Sequence, residues 1–500
     1  MSIIRTPQKA AGTSYDLIII GGGIYGVMLA YTASRRGLKA LLLEQNDFGG
    51  ATSFNSLKTI HGGLRYLQDL NLPLFRQFVN ERRWFIENFP TLVQPLPVLM
   101  PLYGEGLRRP AIFRTALLLD RMLSRNRNQG LAPDRQIPFG KMVDAANVAA
   151  RFPLVRLEGL RGGALWYDAC MPDTPRLIMA VLHAACAGGA TALNYLRVET
   201  LRQSQGRVCG VVARDLLEGS SRIFRANTVI NCGGPWVRRN AAGFGCDLPL
   251  LYRPSLAWNI LFDYPALSTH AVAVAPPAPG SRLYFLHPWK GRLLAGTGHA
   301  PRGEQDLHPR PTEGELARFL IDLNLALPEM KLEARHIRHV YAGFLPAEQP
   351  GSTRLLREDM IFDHAAHGGP AGLFSLTGTK FTASHRSAKK LLDAAFPEQK
   401  AALKDVQSGT IESDDQAAAG IFEYDWRPSN GSREWAAPLR QIIESEAVAH
   451  LDDLILRRTS LGDNPARALE LAPVLSRLFD WDESRRREEI ERVKAFYQWK

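Results

Sequence analysis

A glycine-rich turn near the start of the chain constrains the fold more than any other feature of its 500 residues. The apolar run 16–20 leads into Gly-Gly-Gly-Ile-Tyr-Gly over 21–26, and a helical stretch then continues to Gly37. In a G-x-G-x-x-G turn, the first glycine reverses the chain, the second lets the backbone approach a diphosphate, and the third packs the helix on the strand. The segment 38–44 predicts the next strand. The resulting βαβ unit predicts a Rossmann-type domain that binds a dinucleotide.

Glu44, which lies 18 residues beyond Gly26 at the end of the second strand, supports a dinucleotide site. A carboxylate at this position hydrogen-bonds the ribose hydroxyls and repels a 2′-phosphate, which disfavours NADP. FAD and NAD share this fingerprint, so these residues alone leave both open. A turn that serves packing only is the alternative, and the strand, helix and acidic residue together argue against it.

The length of the chain predicts two or three domains, since 500 residues exceed what one hydrophobic core usually serves. Strand-rich segments between returns to the first domain predict an antiparallel substrate sheet beside it. Small and polar residues over 407–419 are typical of a linker. The predicted parts are the first part of the dinucleotide-binding domain (1–80), a partly helical and basic cap segment (81–172), the second part (173–240), the substrate-domain sheet (241–350), the last part (351–406) and a C-terminal helical domain (420–500).

The formal charge of +11 predicts an anionic partner, which leaves nucleic acid, a phosphorylated substrate and an anionic lipid surface to be distinguished. Nucleic acid is disfavoured because the sequence has no zinc-ligand spacing, no RNP-like run and no long basic tract. The five cysteines lack CxxC spacing, which indicates no metal site and no disulfide framework and favours the reducing cytoplasm. We expect neither a signal peptide nor a spanning helix.

A second motif follows the βαβ unit and distinguishes the cofactors. Residues 51–66 read Ala-Thr-Ser-Phe-Asn-Ser-Leu-Lys-Thr-Ile-His-Gly-Gly-Leu-Arg-Tyr, which resembles the A-T-S-x-x-S-x-K-x-I-H-G-G-L-R-Y signature of flavin-dependent glycerol-3-phosphate dehydrogenases. Segments 231–237, 288–297 and 378–382 resemble further motifs of this family, in the family's order. Near the end, 449–459 is similar to the family's L-x-D-x-x-x-R-R-T element. The resemblance covers nearly the whole chain.

The resemblance implies an α/β fold with a Rossmann-type FAD-binding domain, an antiparallel-sheet substrate domain and a small C-terminal helical domain. It implies FAD as the cofactor, quinone or oxygen as the electron acceptor, and a role in glycerol metabolism. The FAD-binding residues that it implies are Gly21, Gly23, Ile24, Gly26, Glu44, Thr52, Ser53, Ser56, Lys58, His61, Gly62, Val198, Gly234, Gly378, Lys380 and Thr382.

His61, Arg65 and Lys380 are the candidate catalytic residues. A histidine can take the hydroxyl proton as hydride leaves carbon, although contact with the flavin is an alternative role for His61. An arginine binds an anionic group, and Lys380 either stabilises reduced anionic flavin or pairs with a carboxylate. The expected substrate face adds Tyr66, His299, Leu345 and Arg357.

Position 345 departs from the family pattern. Residues 342–347 read Ala-Gly-Phe-Leu-Pro-Ala where the family reads S-G-V-R-P-L, so Leu345 stands in place of an arginine. For a phosphate substrate, this loss costs roughly 2–5 kcal/mol. His299 also replaces a carboxylate of the family, whereas Arg357 matches a retained arginine. A different alcohol, or an amine, is therefore the alternative substrate.

An amphipathic stretch over 107–127 is apolar on one side and basic on the other. Such helices bind anionic membranes, and the family's dehydrogenases are peripheral membrane proteins, which predicts a position at the inner face of the cell membrane. A solvated basic face is the alternative. A third hypothesis, a scaffold without catalysis, is disfavoured by the presence of His61, Arg65 and Lys380 together.

Overall fold

The computed structural model describes residues 2–104, 109–278, 280–303, 308–402, 423, 426–428 and 435–498. The predicted linker 407–419 lies outside the described residues. The strands are β1 (Ser14–Ile20), β2 (Ala40–Leu43), β3 (Thr59–Ile60), β4 (Gln94–Pro101), β5 (Lys141–Val143), β6 (Gly163–Cys170), β7 (Thr191–Leu193), β8 (Leu196–Ser204), β9 (Arg207–Asp215), β10 (Ser221–Asn231), β11 (Pro254–Pro265), β12 (Ala271–Val274), β13 (Tyr284–Trp289), β14 (Arg292–Pro301), β15 (Ile337–Pro346), β16 (Met360–Asp363) and β17 (Leu373–Thr377).

The α-helices follow the same chain order and occur in all three regions of the fold. They are α1 (Pro7–Ala11), α2 (Ile24–Arg35), α3 (Leu72–Asn88), α4 (Pro110–Leu123), α5 (Ala145–Arg151), α6 (Thr174–Ala187), α7 (Val237–Gly243), α8 (Glu313–Ala326), α9 (Ser384–Ala395), α10 (Ala436–Ser445), α11 (Pro465–Leu475) and α12 (Glu483–Tyr497).

The first sheet has the strand order β16-β17-β10-β1-β2-β7, with the β8–β9 hairpin joined to β10. The pairs β17–β10, β10–β1, β1–β2 and β2–β7 are parallel. Its central strands are apolar because both of their faces are covered, and α2 packs with α6 and α9 on one side. The predicted Rossmann-type domain is confirmed.

The second sheet has the order β15-β11-β14-β13-β12-β4-β6-β3, with β5 on β6. All of its pairs are antiparallel except β12–β4. This confirms the antiparallel substrate sheet. The segment 81–172, predicted as a cap, supplies β4, β5 and β6 to this sheet as well as α3 and α4.

The C-terminal helices form a third region with an apolar core of their own. Leu439, Leu454, Leu471 and Leu475 are buried there, and Val493 of α12 completes the cluster. This confirms the predicted C-terminal helical domain. Within the described ranges, no helix is long and apolar enough to cross a membrane.

Candidate active site

A cavity of about 640 Å³ runs along the carboxyl ends of four neighbouring strands of the first sheet. Gly378, Cys232, Gly21 and Glu44 line it, and each directly follows one of the strands β17, β10, β1 and β2. Strands lie about 4.8 Å apart, so four strand ends span roughly 14 Å. Ligands of open parallel sheets bind at this edge, where the strand order reverses direction.

The glycine turn leaves space for the backbone and none for side chains. Gly21 has a positive φ of 107°, which an L-residue rarely adopts. A Cβ at Gly26 would lie 1.9 Å from the carbonyl oxygen of Gly21, so this position needs glycine for the helix to approach the strand. Helix α2 begins at Ile24 with its N-terminus at the cavity, and such an end attracts a diphosphate.

Glu44 lies at the β2 end of this row of four strands. Its carboxylate accepts hydrogen bonds from the backbone N–H of Gly22 at 2.6 Å and of Asn46 at 2.8 Å. Burial raises the pKa of Glu44, and these hydrogen bonds oppose that shift. Val198, on β8, also lines the cavity. The cavity is therefore lined by a carboxylate that can accept hydrogen bonds from a ribose and by an apolar residue that can contact an adenine.

The loop after Glu44 folds back over the helix N-terminus. Ser53 Oγ accepts the N–H of Ile24 at 3.0 Å, and Thr52 donates to the carbonyl of Phe344 on β15 at 3.1 Å. Ser56 also lines the cavity. The loop therefore joins the two sheets around the space that a diphosphate and ribityl chain require, so the residues present fit FAD.

Lys58 is the predicted cofactor residue whose side chain the structure places elsewhere. It is 1% exposed, and its Nζ donates to the carbonyl of Phe54 at 2.9 Å. The rings of Phe54, Trp289 and Tyr341 surround this ammonium, with centroids 4.9, 5.7 and 4.5 Å away. The aromatic faces between the loop and the second sheet therefore stabilise the charge of Lys58. Lys58 does not line the cavity, whereas its neighbours Leu57 and Thr59 do.

We expect Lys58→Met to leave the FAD dissociation constant unchanged and to alter the pH dependence of stability. Burial lowers the pKa of Lys58 from 10.5 to about 8, so the unfolded chain binds more protons between these values and the free energy of unfolding of the wild type rises with pH there. Methionine removes this rise, which amounts to about 3 kcal/mol. Urea unfolding of both proteins between about pH 8 and about pH 10 measures it. Equal slopes would contradict this assignment.

His61 lines the cavity and is held by a buried carboxylate. Its Nδ1 lies 3.4 Å from an oxygen of Asp168, and its backbone N–H donates to Thr382 Oγ1 at 3.0 Å. The other Asp168 oxygen accepts the N–H of Gly62 at 2.7 Å. Burial raises the pKa of Asp168, but the bonds from His61 and Gly62 and the charge of Arg82 outweigh it and leave the pKa below its usual value. The carboxylate therefore orients the imidazole and leaves Nε2 as the nitrogen free to exchange a proton.

Lys380 lines the cavity beside Gly378. Its Nζ donates to the hydroxyl of Tyr66 and, at 3.4 Å, to the carbonyl of Arg357. Burial lowers the pKa of Lys380 to about 8, and the charge of Arg65 lowers it further, whereas Asp359 opposes the shift. Lys380 is therefore a cation that can release a proton close to neutral pH, beside the expected position of the flavin.

One face of the second sheet forms the wall opposite the strand ends. Gly343 of β15, Ala257 of β11 and His299 of β14 are opposite one another across the strands, and Leu345 lies in the next row. Burial, and then the charges of Arg282 and Arg65, lower the pKa of His299 to about 4, so it is neutral at pH 7. This wall is small and apolar at its centre, with one neutral imidazole.

The two predicted substrate arginines lie beside the cavity and do not line it. Arg65 is exposed in the short helical turn Leu64–Leu67, near enough to Lys380 and His299 for its charge to lower both pKa values. Arg357 is half-exposed, and it pairs with Asp69 at 3.4 Å and more loosely with Glu348 at 3.8 Å.

Most predicted residues meet at one cavity. Those that line it are Gly21, Gly23, Ile24, Glu44, Thr52, Ser53, Ser56, His61, Val198, Gly234, His299, Leu345, Gly378 and Lys380. Those beside it, which support lining residues, are Gly26, Gly62, Tyr66 and Thr382.

Among the polar residues of this site that sequence reasoning missed are Asp168, Tyr252 and Arg282. Asp168 orients His61 from 107 positions away, and nothing in its local sequence marks it. Tyr252 lines the cavity with a buried hydroxyl that has no hydrogen-bond partner among the described residues. Arg282 donates to the carbonyl of His299 at 3.3 Å. The last two lie in or next to substrate-sheet strands, where the alternation of side chains could have marked inward positions.

A parallel sheet with a diphosphate-binding turn, joined to a second sheet across a cavity that His61 and Lys380 line, is the architecture of a flavin-dependent oxidoreductase. Residues 16–394 match the model of the DAO family, described as FAD dependent oxidoreductase. The chain belongs to this family, which confirms FAD as the cofactor and an oxidoreductase as the class of enzyme.

Relatives of known name agree with this assignment. The chain is 30% identical over 418 residues to a glycerol-3-phosphate dehydrogenase of Synechocystis, which covers 79% of this chain and 72% of the relative. It is 32% identical over 399 residues to glycerol-3-phosphate dehydrogenase 1 of Mycobacterium tuberculosis, covering 77% and 74%. The predicted resemblance to this enzyme family is confirmed.

Solved structures show the same fold. The glycerol-3-phosphate dehydrogenase of Bacillus halodurans complexed with FAD has a TM-score of 0.74 at 21% identity, covering 98% of this chain and 96% of that chain. The L-proline dehydrogenase of P. horikoshii has a TM-score of 0.58 at 15% identity, covering 77% and 94%. The fold thus occurs in enzymes named for alcohol and for amine substrates.

Proposed function

We propose that this enzyme oxidises the secondary hydroxyl of a small anionic alcohol of the glycerol-3-phosphate type. The observation that carries the proposal is that His61, oriented by Asp168, and Lys380, held by Tyr66, line one cavity beside the FAD-binding turn. When bound, FAD supplies the acceptor for the hydride. Oxygen or a quinone is the proposed final electron acceptor.

In this proposal, His61 Nε2 accepts the hydroxyl proton as the substrate C–H bond breaks and the carbonyl forms. Asp168 stabilises the imidazolium that results, because its carboxylate faces Nδ1. Lys380 places a positive charge where negative charge develops on the cofactor side. All three groups are fixed by hydrogen bonds that are already present, which lowers the cost of orienting them.

Positive charge beside the site supports an anionic substrate. The charges of Arg282 and Arg65 both lower the pKa of His299. The backbone carbonyl of Arg357 accepts a hydrogen bond from Lys380 Nζ. The described part of the structure records no ion pair for Arg65 or Arg282, so their charge is available to a ligand. Arg357 shares its charge with Asp69 and Glu348, so it contributes less.

Steady-state oxidation of glycerol-3-phosphate, compared with glycerol, tests this proposal with an artificial electron acceptor. We expect turnover of the phosphorylated alcohol at a higher kcat/KM than that of glycerol. Preference for glycerol, or turnover of amines alone, would overturn it and favour the alternative, an FAD-dependent enzyme for a different alcohol or an amine. Leu345 is the observation that favours this alternative, since it presents an apolar side chain to the cavity.

Leu345→Arg is expected to raise kcat/KM for glycerol-3-phosphate by about tenfold or more, because a charge-assisted contact contributes roughly 1.5–3 kcal/mol. Leu345 lines the cavity from β15, opposite Ser255 of β11 and one row from Gly343. Kinetics with glycerol provide the control, since the added charge has no phosphate to bind. No gain for the phosphate substrate would refute this role of position 345.

We also propose that the enzyme associates with the inner face of an anionic membrane through α4. Leu118 and Met122, one turn apart, are 58% and 56% exposed, and Arg114 and Arg121 are exposed on the same helix. We expect cosedimentation with phosphatidylglycerol vesicles that is lost in a Leu118→Ser, Met122→Ser variant. Leu157→Ser is the matched control, since Leu157 is 67% exposed elsewhere. Equal sedimentation of both variants would contradict the proposal.

A further inference from the structure

The C-terminal helical domain lies beyond the segment 16–394 that matches the oxidoreductase family, yet it reaches the same cavity. Four of its side chains line that cavity: Asp452, Arg457, Arg492 and Phe496. The cavity wall is therefore completed by a region that the dinucleotide fold itself does not supply.

The first link between the two regions is a buried ionic cluster at Asp47, three residues beyond Glu44. One oxygen of Asp47 accepts from Arg457 Nε and Arg458 Nη1, both at 2.7 Å, and the other from Arg458 Nη2 at 2.8 Å. Burial raises the pKa of Asp47, but both guanidinium groups outweigh it and lower the pKa to about 2. The C-terminal domain thus fixes the start of the loop that covers the diphosphate-binding turn.

A second link holds the other end of this loop. Phe496 of α12 packs edge-on against Phe54, with ring centroids 6.0 Å apart, and Phe54 lies between Ser53 and Ser56. The aliphatic part of Arg457 is also close to Gly50, where a Cβ would lie 3.6 Å from Cδ. The loop is therefore held from outside along most of its length.

Arg492 lines this wall, and only one of its guanidinium nitrogens has a hydrogen-bond partner among the described residues. Its Nε donates to Asp452 at 2.6 Å, and no other hydrogen bond is recorded for its guanidinium within the described residues. The side chain is 43% exposed and lines the cavity from α12. Because Asp452 already binds Arg457, the position of Arg492 is fixed while its two terminal nitrogens stay available.

We propose that the C-terminal helical domain completes the FAD site, with Arg492 donating hydrogen bonds to oxygen atoms of the ADP half of the cofactor. The ADP half is assigned because Asp452 joins Arg492 to Arg457, and Arg457 binds Asp47, three residues beyond Glu44. A guanidinium matches phosphate oxygens in geometry and charge. Arg492 thereby binds the cofactor, whereas Arg457 and Arg458 position the loop.

Reconstitution of the apoprotein with FAD tests the proposal through flavin fluorescence. We expect Arg492→Met to raise the FAD dissociation constant about tenfold or more, as loss of a charge-assisted contact does. Arg485→Met is the matched control, because Arg485 lies on the same helix, is 40% exposed, pairs with Glu489 and does not line the cavity. Its FAD dissociation constant is expected to match the wild type. Equal effects of the two variants would overturn the proposal.

Calorimetric titration of the apoproteins with ADP alone locates the contact. We expect Arg492→Met to weaken the binding of ADP by the same factor as the binding of FAD. Arg492→Lys keeps the charge but not the planar guanidinium, so we expect it to weaken the binding of both ligands less. If Arg492→Met weakens the binding of FAD but leaves the binding of ADP unchanged, the assignment to the ADP half is overturned. Thermal melting of each apoprotein distinguishes loss of a contact from loss of the fold, and the lysine variant carries the test if the methionine variant melts early.

Discussion

His61→Asn is expected to lower kcat by about 10²- to 10⁴-fold, the range that a positioned general base contributes. Asparagine keeps a polar side chain of similar reach but cannot accept the hydroxyl proton at neutral pH. The expected effect lies in kcat more than in KM, because the imidazole acts on the proton that moves in the reaction. Stopped-flow reduction under anaerobic conditions measures the step directly.

His270→Asn serves as the control for this variant, since His270 lies in the loop before β12 and bonds Thr269. Its kcat is expected to equal that of the wild type. The FAD content of His61→Asn is expected to be normal, because the main-chain bond from position 61 to Thr382 is retained. Wild-type kcat in His61→Asn would leave flavin contact as the role of this residue.

Arg458→Met is expected to lower the free energy of unfolding by about 3–5 kcal/mol, since it removes a buried guanidinium and leaves the buried carboxylate of Asp47 paired with Arg457 alone. Arg458 is fully buried, binds both oxygens of Asp47 and donates to the carbonyl of Glu446 at 3.0 Å. Urea unfolding gives the difference. Arg335→Met is the control, because Arg335 is 73% exposed and its pair with Glu333 is a surface pair.

The difference in free energy of unfolding between the wild type and Arg458→Met is expected to become smaller in acid. The pKa of Asp47 is lowered from 3.8 to about 2, so its stabilising contribution is complete above the unfolded value and disappears as pH falls through the folded one. The difference between wild type and Arg458→Met should therefore shrink between these values. A difference that is small at pH 7, or constant through the acid range, would contradict the role given to this cluster.

The cofactor-binding half of the site was predictable because its determinants are close in sequence. The turn 21–26 and Glu44 belong to one βαβ unit, so their spacing fixes their geometry. His61 and Lys380 were found through motifs of a family rather than through spacing. The sheet order then places them at one cavity.

The residues that sequence analysis missed or misplaced act over long separations. Asp168 meets His61 only because β6 pairs with β3, and Arg492 reaches the cavity only after the C-terminal helices pack on the loop 47–56. Lys58 shows the converse case, since a residue inside a cofactor motif turns toward Phe54, Trp289 and Tyr341. Direction of a side chain depends on tertiary packing, which a local pattern does not encode.

Anaerobic mixing of the FAD-loaded enzyme with glycerol-3-phosphate is the most direct test of the central claim, that this cavity transfers hydride from a small anionic alcohol to FAD. We expect rapid loss of the visible flavin absorbance, and a much slower loss in His61→Asn. Absorbance that persists with glycerol-3-phosphate, while dithionite still removes it, would contradict this claim and show that the flavin site acts on another substrate.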